Sequence, residues 1–157
     1  MTRVNIAAVL VGWAVLLTPS AIMAVDNQEN PAAVALDPDY GAGKKAIEAK
    51  QWSAAIAALA SAALRDTRNA DIQNSLGYAY RNAGQIDAAF RHYERALALS
   101  PRHRGAHEYV GEAYLIVNNL AKAEEHLAML QQICLIPCEE FEELKEKIEA
   151  HKRSGKR

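Results

Sequence analysis

The side chains of this chain best suited to redox or metal chemistry are two cysteines and five histidines. Cys134 and Cys138 stand four residues apart with Leu135, Ile136 and Pro137 between them. Across a Pro-containing turn their Cα atoms can come within the roughly 4.4–6.8 Å that a disulfide needs. A structural staple, two free thiols, a redox pair and a metal site are the four uses open to them. The redox use is disfavoured because the spacing is not Cys-x-x-Cys and no thioredoxin-like βαβ pattern flanks it. As a staple, so short a loop is worth about 2 kcal/mol. His103 and His107 are four apart and can share a helical face, but Pro101 places His103 in a turn and no carboxylate motif accompanies the pair. There is no Gly-rich phosphate loop, no nucleophile elbow and no His-Glu-x-x-His. No enzyme, no cofactor and no metal is expected.

The elements that carry these residues are set by a period. Gly43, Gly77 and Gly111 recur every 34 residues, as do Ala55, Ala89 and Ala123. Ala62, Ala96 and Leu130 keep the same frame, and so do His92 and His126, which gives that pair a shared surface role rather than convergence on one atom. A fixed period of this length marks a solenoid, in which each unit covers the apolar face of the next. Within a unit, apolar residues recur at three and four over about a dozen residues, so each unit is two helices. In the middle unit Leu76 and Tyr80 form one stripe and Ala89, Tyr93 and Ala96 the other. Gly84 between them suits the left-handed residue that ends a helix, and Ser100-Pro101 closes the unit. Gly77 and Ala89 are small so that the two helices can approach, and the tyrosines fill the remaining core.

Residues 70–103 resemble the tetratricopeptide repeat family, through Leu76-Gly77, Tyr80, Ala89, Tyr93, Ala96 and Pro101. Residues 104–137 repeat the pattern more loosely as Val110-Gly111, Tyr114, Ala123, Leu127 and Leu130, and residues 36–69 as Ala42-Gly43, Ala46, Ala55, Leu59 and Ala62. The resemblance implies an all-α, right-handed solenoid of three helix-turn-helix repeats (36–69, 70–103 and 104–137). A capping helix over 138–152 and a basic tail over 153–157 follow from the sequence beyond them. Phe141, Leu144 and Ile148 give that helix its apolar face, and Glu143–Lys147 reads as an i,i+4 pair along it.

The resemblance further implies that the first helix of each repeat lines a concave, peptide-binding face. Its residues would be Tyr40 and Lys44 in the first repeat, Asn74, Tyr78, Arg81 and Asn82 in the second, and Glu108 and Glu112 in the third, with Asp37, Ile47, Glu48, Asp71, Gly105, Leu115 and Ile116 beside them. Tyr brings contact area at low entropic cost, and Asn and Arg supply hydrogen bonds. The plain alternative for each is an ordinary solvated helix face. One subfamily holds a C-terminal carboxylate with Lys, Asn and Arg; here Tyr40, Lys44, Ser75, Gly105 and Tyr109 occupy those positions, so a free C-terminus is not the expected partner.

Residues 1–24 read as a secretory leader, with Arg3, an apolar run from Ile6 to Leu17, then Thr18-Pro19-Ser20 and a cut after Ala24. The apolar run spans only about 18 Å as a helix, against a hydrocarbon core of about 30 Å. An uncleaved segment anchored in the inner membrane is the alternative. Residues 25–35 read as a polar, flexible tether. With 18 Lys and Arg against 19 Asp and Glu, the net charge of −1 excludes a basic face for nucleic acid. The function expected is a non-catalytic periplasmic scaffold that binds another protein or a peptide. A thiol or metal accessory factor using Cys134 and Cys138 is the alternative.

Overall fold

The structure, a computed structural model, describes residues 37–155. The expected leader and tether lie outside the described residues. Seven helices follow one another: α1 (Pro38–Glu48), α2 (Trp52–Arg65), α3 (Ala70–Asn82), α4 (Ile86–Leu99), α5 (Arg104–Ile116), α6 (Leu120–Ile133) and α7 (Glu139–Ser154). No strand occurs among the described residues. Each helix packs on the next, and the odd-numbered helices also pack on one another along the stack, α1 on α3, α3 on α5 and α5 on α7. Among the described residues no even-numbered helix packs on another. The odd helices therefore form the tighter, inner row of an all-α solenoid.

The 34-residue frame is a packing frame. Ala55, Ala89 and Ala123 are fully buried, as are Ala62, Ala96 and Leu130. A Cβ on Gly43 would fall 2.6 Å from Leu59, and one on Gly77 would fall 2.5 Å from the ring of Tyr93, so only glycine lets these helices meet. A Cβ on Gly111 would fall 2.6 Å from Leu144 of α7, so the terminal helix closes over the third unit. Leu144 and Ile148 join Ala123 and Leu130 in the last core cluster.

The turns obey the same frame. Lys50, Gly84 and Asn118 have φ of 54°, 76° and 57°. After each, an amide reaches back to end its helix: Gln51 N to Ala46 O at 2.8 Å, Gln85 N to Tyr80 O at 2.9 Å, and Asn119 N to Tyr114 O at 2.8 Å. Only the middle slot holds the glycine that makes the turn legible in sequence. Helix starts are capped by Asp37, which accepts from Asp39 N and Tyr40 N, by Asn69 for α3, and by the His103 ring for α5.

Two expectations at the C-terminal end need correction. The last helix runs on to Ser154, so Arg153 and Ser154 are helical rather than part of a loose tail. Lys147 does not serve its own helix by pairing with Glu143; it crosses to Glu112 of α5. A partly buried carboxylate on a neighbouring helix is a better partner than an exposed one, where water competes.

Candidate functional site

A cavity of about 230 Å³ opens on the inner row of helices. Tyr40, Lys44 and Ile47 reach it from α1, Asp71, Asn74, Ser75 and Tyr78 from α3, and Tyr109 from α5. Helix periodicity explains the sets, since Tyr40–Lys44 and Asp71–Ser75 are each one turn apart and Asn74–Tyr78 continue the α3 stripe. Tyr78 and Tyr109 form its aromatic wall, with ring centroids 5.0 Å apart at 52°. The Trp52 ring stands edge-on to Tyr78, 6.3 Å away. The carbonyl oxygen Oδ1 of Asn74 is buried with no partner among the described residues. Lys44 is exposed beside it. The cavity thus offers aromatic faces, an unused acceptor and one exposed cation.

Arg81 lies behind the aromatic wall, its guanidinium carbon 5.3 Å from the centroids of both Tyr78 and Tyr109. Its side chain is 9% exposed and pairs with Glu112, which also takes Lys147. The sequence placed Arg81, Glu108 and Glu112 on an open binding face; the structure buries them. Glu108 is 4% and Glu112 8% exposed, because α7 packs over α5 where a further repeat would otherwise continue the groove. Asn82 remains exposed, but its amide donates to Tyr78 O at 2.9 Å. Of the eight residues singled out, Tyr40, Lys44, Asn74 and Tyr78 come together at the cavity. Trp52 has no counterpart in the family pattern and sits on a second helix, so sequence reasoning passed over it. Tyr109 enters the sequence pattern only as a departure from the carboxylate-binding residues; its place one turn from Glu112 on the first-helix stripe is the signal that puts it at the cavity.

Electrostatics around the cavity follow from burial. Burial, and then the charge of Glu108, push the Tyr109 hydroxyl up to about 12. Tyr93, whose hydroxyl is buried without a partner among the described residues, is pushed higher still, chiefly by burial. A hydrogen bond from His103 is the main cause that holds Asp71 below the usual carboxylate range.

The histidines are engaged in other contacts. His103 caps α5 and pairs with Asp71, 3.0 Å away, whereas His107 contacts Pro101 O and the His126 ring. His92 and His126 are not simply displayed on the surface. His92 stacks on Tyr80, with centroids 5.1 Å apart, and bonds Gln73; His126 stacks on Tyr114 at 5.7 Å. Their shared slot is the seam between paired helices, where a flat ring with a polar edge suits a half-buried position. Cys134 and Cys138 are disulfide-bonded with their Cα atoms 5.9 Å apart, which removes the free-thiol reading. The bond joins the first residue after α6 to the residue just before α7, and Leu135 and Ile136 protrude from the loop it closes.

Residues 70–103, which form α3, α4 and the turn after them, match the tetratricopeptide repeat family, so the chain is a solenoid carrying a repeat of that class. Its fold is similar to that of the translocator chaperone SycD of type III secretion in Yersinia enterocolitica, with a TM-score of 0.69 at 18% identity over 83% of this chain and 91% of that one. A structure of SycD in complex with a peptide of the translocator YopD aligns at 0.65, with 18% identity over 80% of this chain and 95% of that one. The CopN–Scc3 complex aligns at 0.60, with 20% identity over 84% of this chain and 79% of that one. No curated protein matches by sequence.

Proposed function

We propose that this protein is a non-catalytic scaffold of the bacterial periplasm that binds a peptide segment of another protein along its inner helix row. The observation that carries this reading is the cavity between α1, α3 and α5, where Tyr78 and Tyr109 present paired rings next to the unused acceptor of Asn74 and the cation of Lys44. Rigid aromatic faces with a few placed polar groups suit peptide recognition, because the rings cost little entropy to immobilise. The likeness to a chaperone seen with a bound peptide supports the same reading. The leader-like residues 1–24 and the disulfide support export, since disulfides persist in oxidising compartments.

The experiment is site-specific photo-crosslinking in cells, with a photoreactive phenylalanine in place of Tyr78 or, on an outer helix, in place of the exposed Leu64. A defined cross-linked product is expected from position 78 alone, and it should disappear when Lys44→Ala and Tyr109→Ala are added. The same product in a Cys134→Ser, Cys138→Ser background separates the scaffold from the thiol accessory alternative. Products lost with the cysteines and indifferent to Tyr109 would overturn the proposal.

A further inference from the structure

Behind the groove, α5 and α7 face each other through two pairs of residues one turn apart, Glu108 and Glu112 on α5 and Glu143 and Lys147 on α7. One carboxylate oxygen from each of the three glutamates falls within 4.8 Å of the others. Glu112 is committed, since Arg81 of α3 and Lys147 both pair with it. Glu108 is 4% exposed, and its Oε1 has no hydrogen-bond partner among the described residues. The other groups around the cluster are phenols: Tyr78 of α3, Tyr93 of α4 and Tyr109 of α5. Three carboxylates thus face two cations, Arg81 and Lys147, and Oε1 of Glu108 accepts from none of the groups around it. A buried, unbalanced charge of this kind is expensive, and a proton is the smallest group that removes it.

We propose that Glu108 and Glu143 share a proton that seats the terminal helix α7 on α5, and that losing this proton releases α7. With the proton in place, Glu108 donates to the Glu143 carboxylate and the cluster is neutral. Without it, two carboxylates repel across the helix interface, and α7 lifts Leu144 and Ile148 off the core. Burial first, then the hydrogen bond to Glu143 and the charge of Glu112, push Glu108 up to about 8, against the opposing charge of Lys147. A carboxyl raised in the folded state stabilises below its unfolded value of 4.5, and that contribution is lost as pH rises toward about 8. The latch is therefore closed in acid and neutral conditions and opens in alkaline ones. It does not depend on what the groove binds.

The direct test is the carboxyl carbon signal of Glu108 in the full chain, labelled with ¹³C-glutamate and titrated from pH 4 to 9. A midpoint near 8 is expected, and one in the ordinary carboxylate range overturns the proposal. The second test is amide exchange along α7, corrected for intrinsic rates. The opening constant should rise by up to tenfold per pH unit between pH 6 and 8, the one-proton limit. Glu108→Gln should flatten that slope. Should this variant not fold, Glu143→Gln, at an exposed position, should lower the Glu108 midpoint; an unchanged midpoint overturns the idea. Three carboxylates also suit a hard divalent cation. Millimolar calcium chloride at pH 7.5 should leave the opening unchanged. A calcium-dependent closure that displaces the Glu108 titration would replace the proton by a cation and refute the latch as stated.

Discussion

Gly77→Ala tests whether the repeat frame is a packing frame. A Cβ at Gly77 would lie 2.5 Å from both Cδ1 and Cε1 of Tyr93, a ring that is fully buried and closed in on all sides. Either α3 must move off α4 or the ring must leave its rotamer. Overpacking a tight core costs about 1–3 kcal/mol, and contact this short with an aromatic ring belongs at about 3. Alanine's better helix propensity offsets about 1 kcal/mol of that. The net loss is then about 2 kcal/mol. Gly41 in α1 supplies the control, because a Cβ there meets nothing within 4 Å. Gly41→Ala keeps the propensity gain and should stabilise by about 0.5–1 kcal/mol. With a urea m-value of about 2 kcal/mol/M, the Gly77 variant should melt about 1 M below the parent and the Gly41 variant about 0.3–0.5 M above it. Urea melts followed by helical circular dichroism measure both. A Gly77→Ala midpoint at or above the parent's, with m unchanged, would show that α3 and α4 are not held apart by the width of Tyr93.

Gly84→Ala should destabilise by about 1–2 kcal/mol in the same melts, since the residue at φ 76° would have to adopt the left-handed region with a side chain. Burial, aided by the nearby His107, lowers the His126 pKa to about 4, so the folded state keeps the ring neutral while the unfolded state protonates it below about 6.5. Stability from this group is present above pH 6.5 and falls as pH drops toward 4; His126→Gln should flatten the fall between pH 6.5 and 4.5 relative to the parent, read from urea midpoints at each pH. Arg81→Ala should cost about 1.5–3 kcal/mol, because it takes one of the two cations from Glu112 and leaves Lys147 alone to offset that carboxylate beside Glu108. Tyr78→Ala, at a half-buried position on the groove wall, should cost less in the same melts yet weaken peptide capture more than tenfold, as central aromatic contacts often do.

The solenoid was legible because its determinants are local and periodic. Glycine and alanine at fixed slots state where helices must touch, and Gly84 with Pro101 states where they must end. The slots at Lys50 and Asn118 adopt the same left-handed turn without glycine, since the returning amides of Gln51 and Asn119 hold them there. Asn is itself a residue that tolerates the left-handed region, so Lys50 alone gives no sign of its turn in the sequence. The family resemblance likewise placed Tyr40, Lys44, Asn74 and Tyr78 on the first-helix row, where the cavity lies.

Helical spacing by itself settles which face of a helix a residue occupies, but not what another part of the chain lays on that face. Arg81, Glu108 and Glu112 share the inner row with Tyr78, and nothing in their spacing separates them from it. The fate of Glu108 and Glu112 was decided by α7, which folds over α5 about 35 residues further along the chain, places Leu144 against Gly111, and takes Glu112 with Lys147, while Arg81 is covered by Tyr78 and Tyr109 and paired with Glu112. In the same way His92 and His126 were visible as equivalent positions, while their stacking on Tyr80 and Tyr114 depended on how closely paired helices approach. Period and residue size determined the fold from sequence alone. Which charged groups stay in water is a question of distance in space, and only the packed helices answered it.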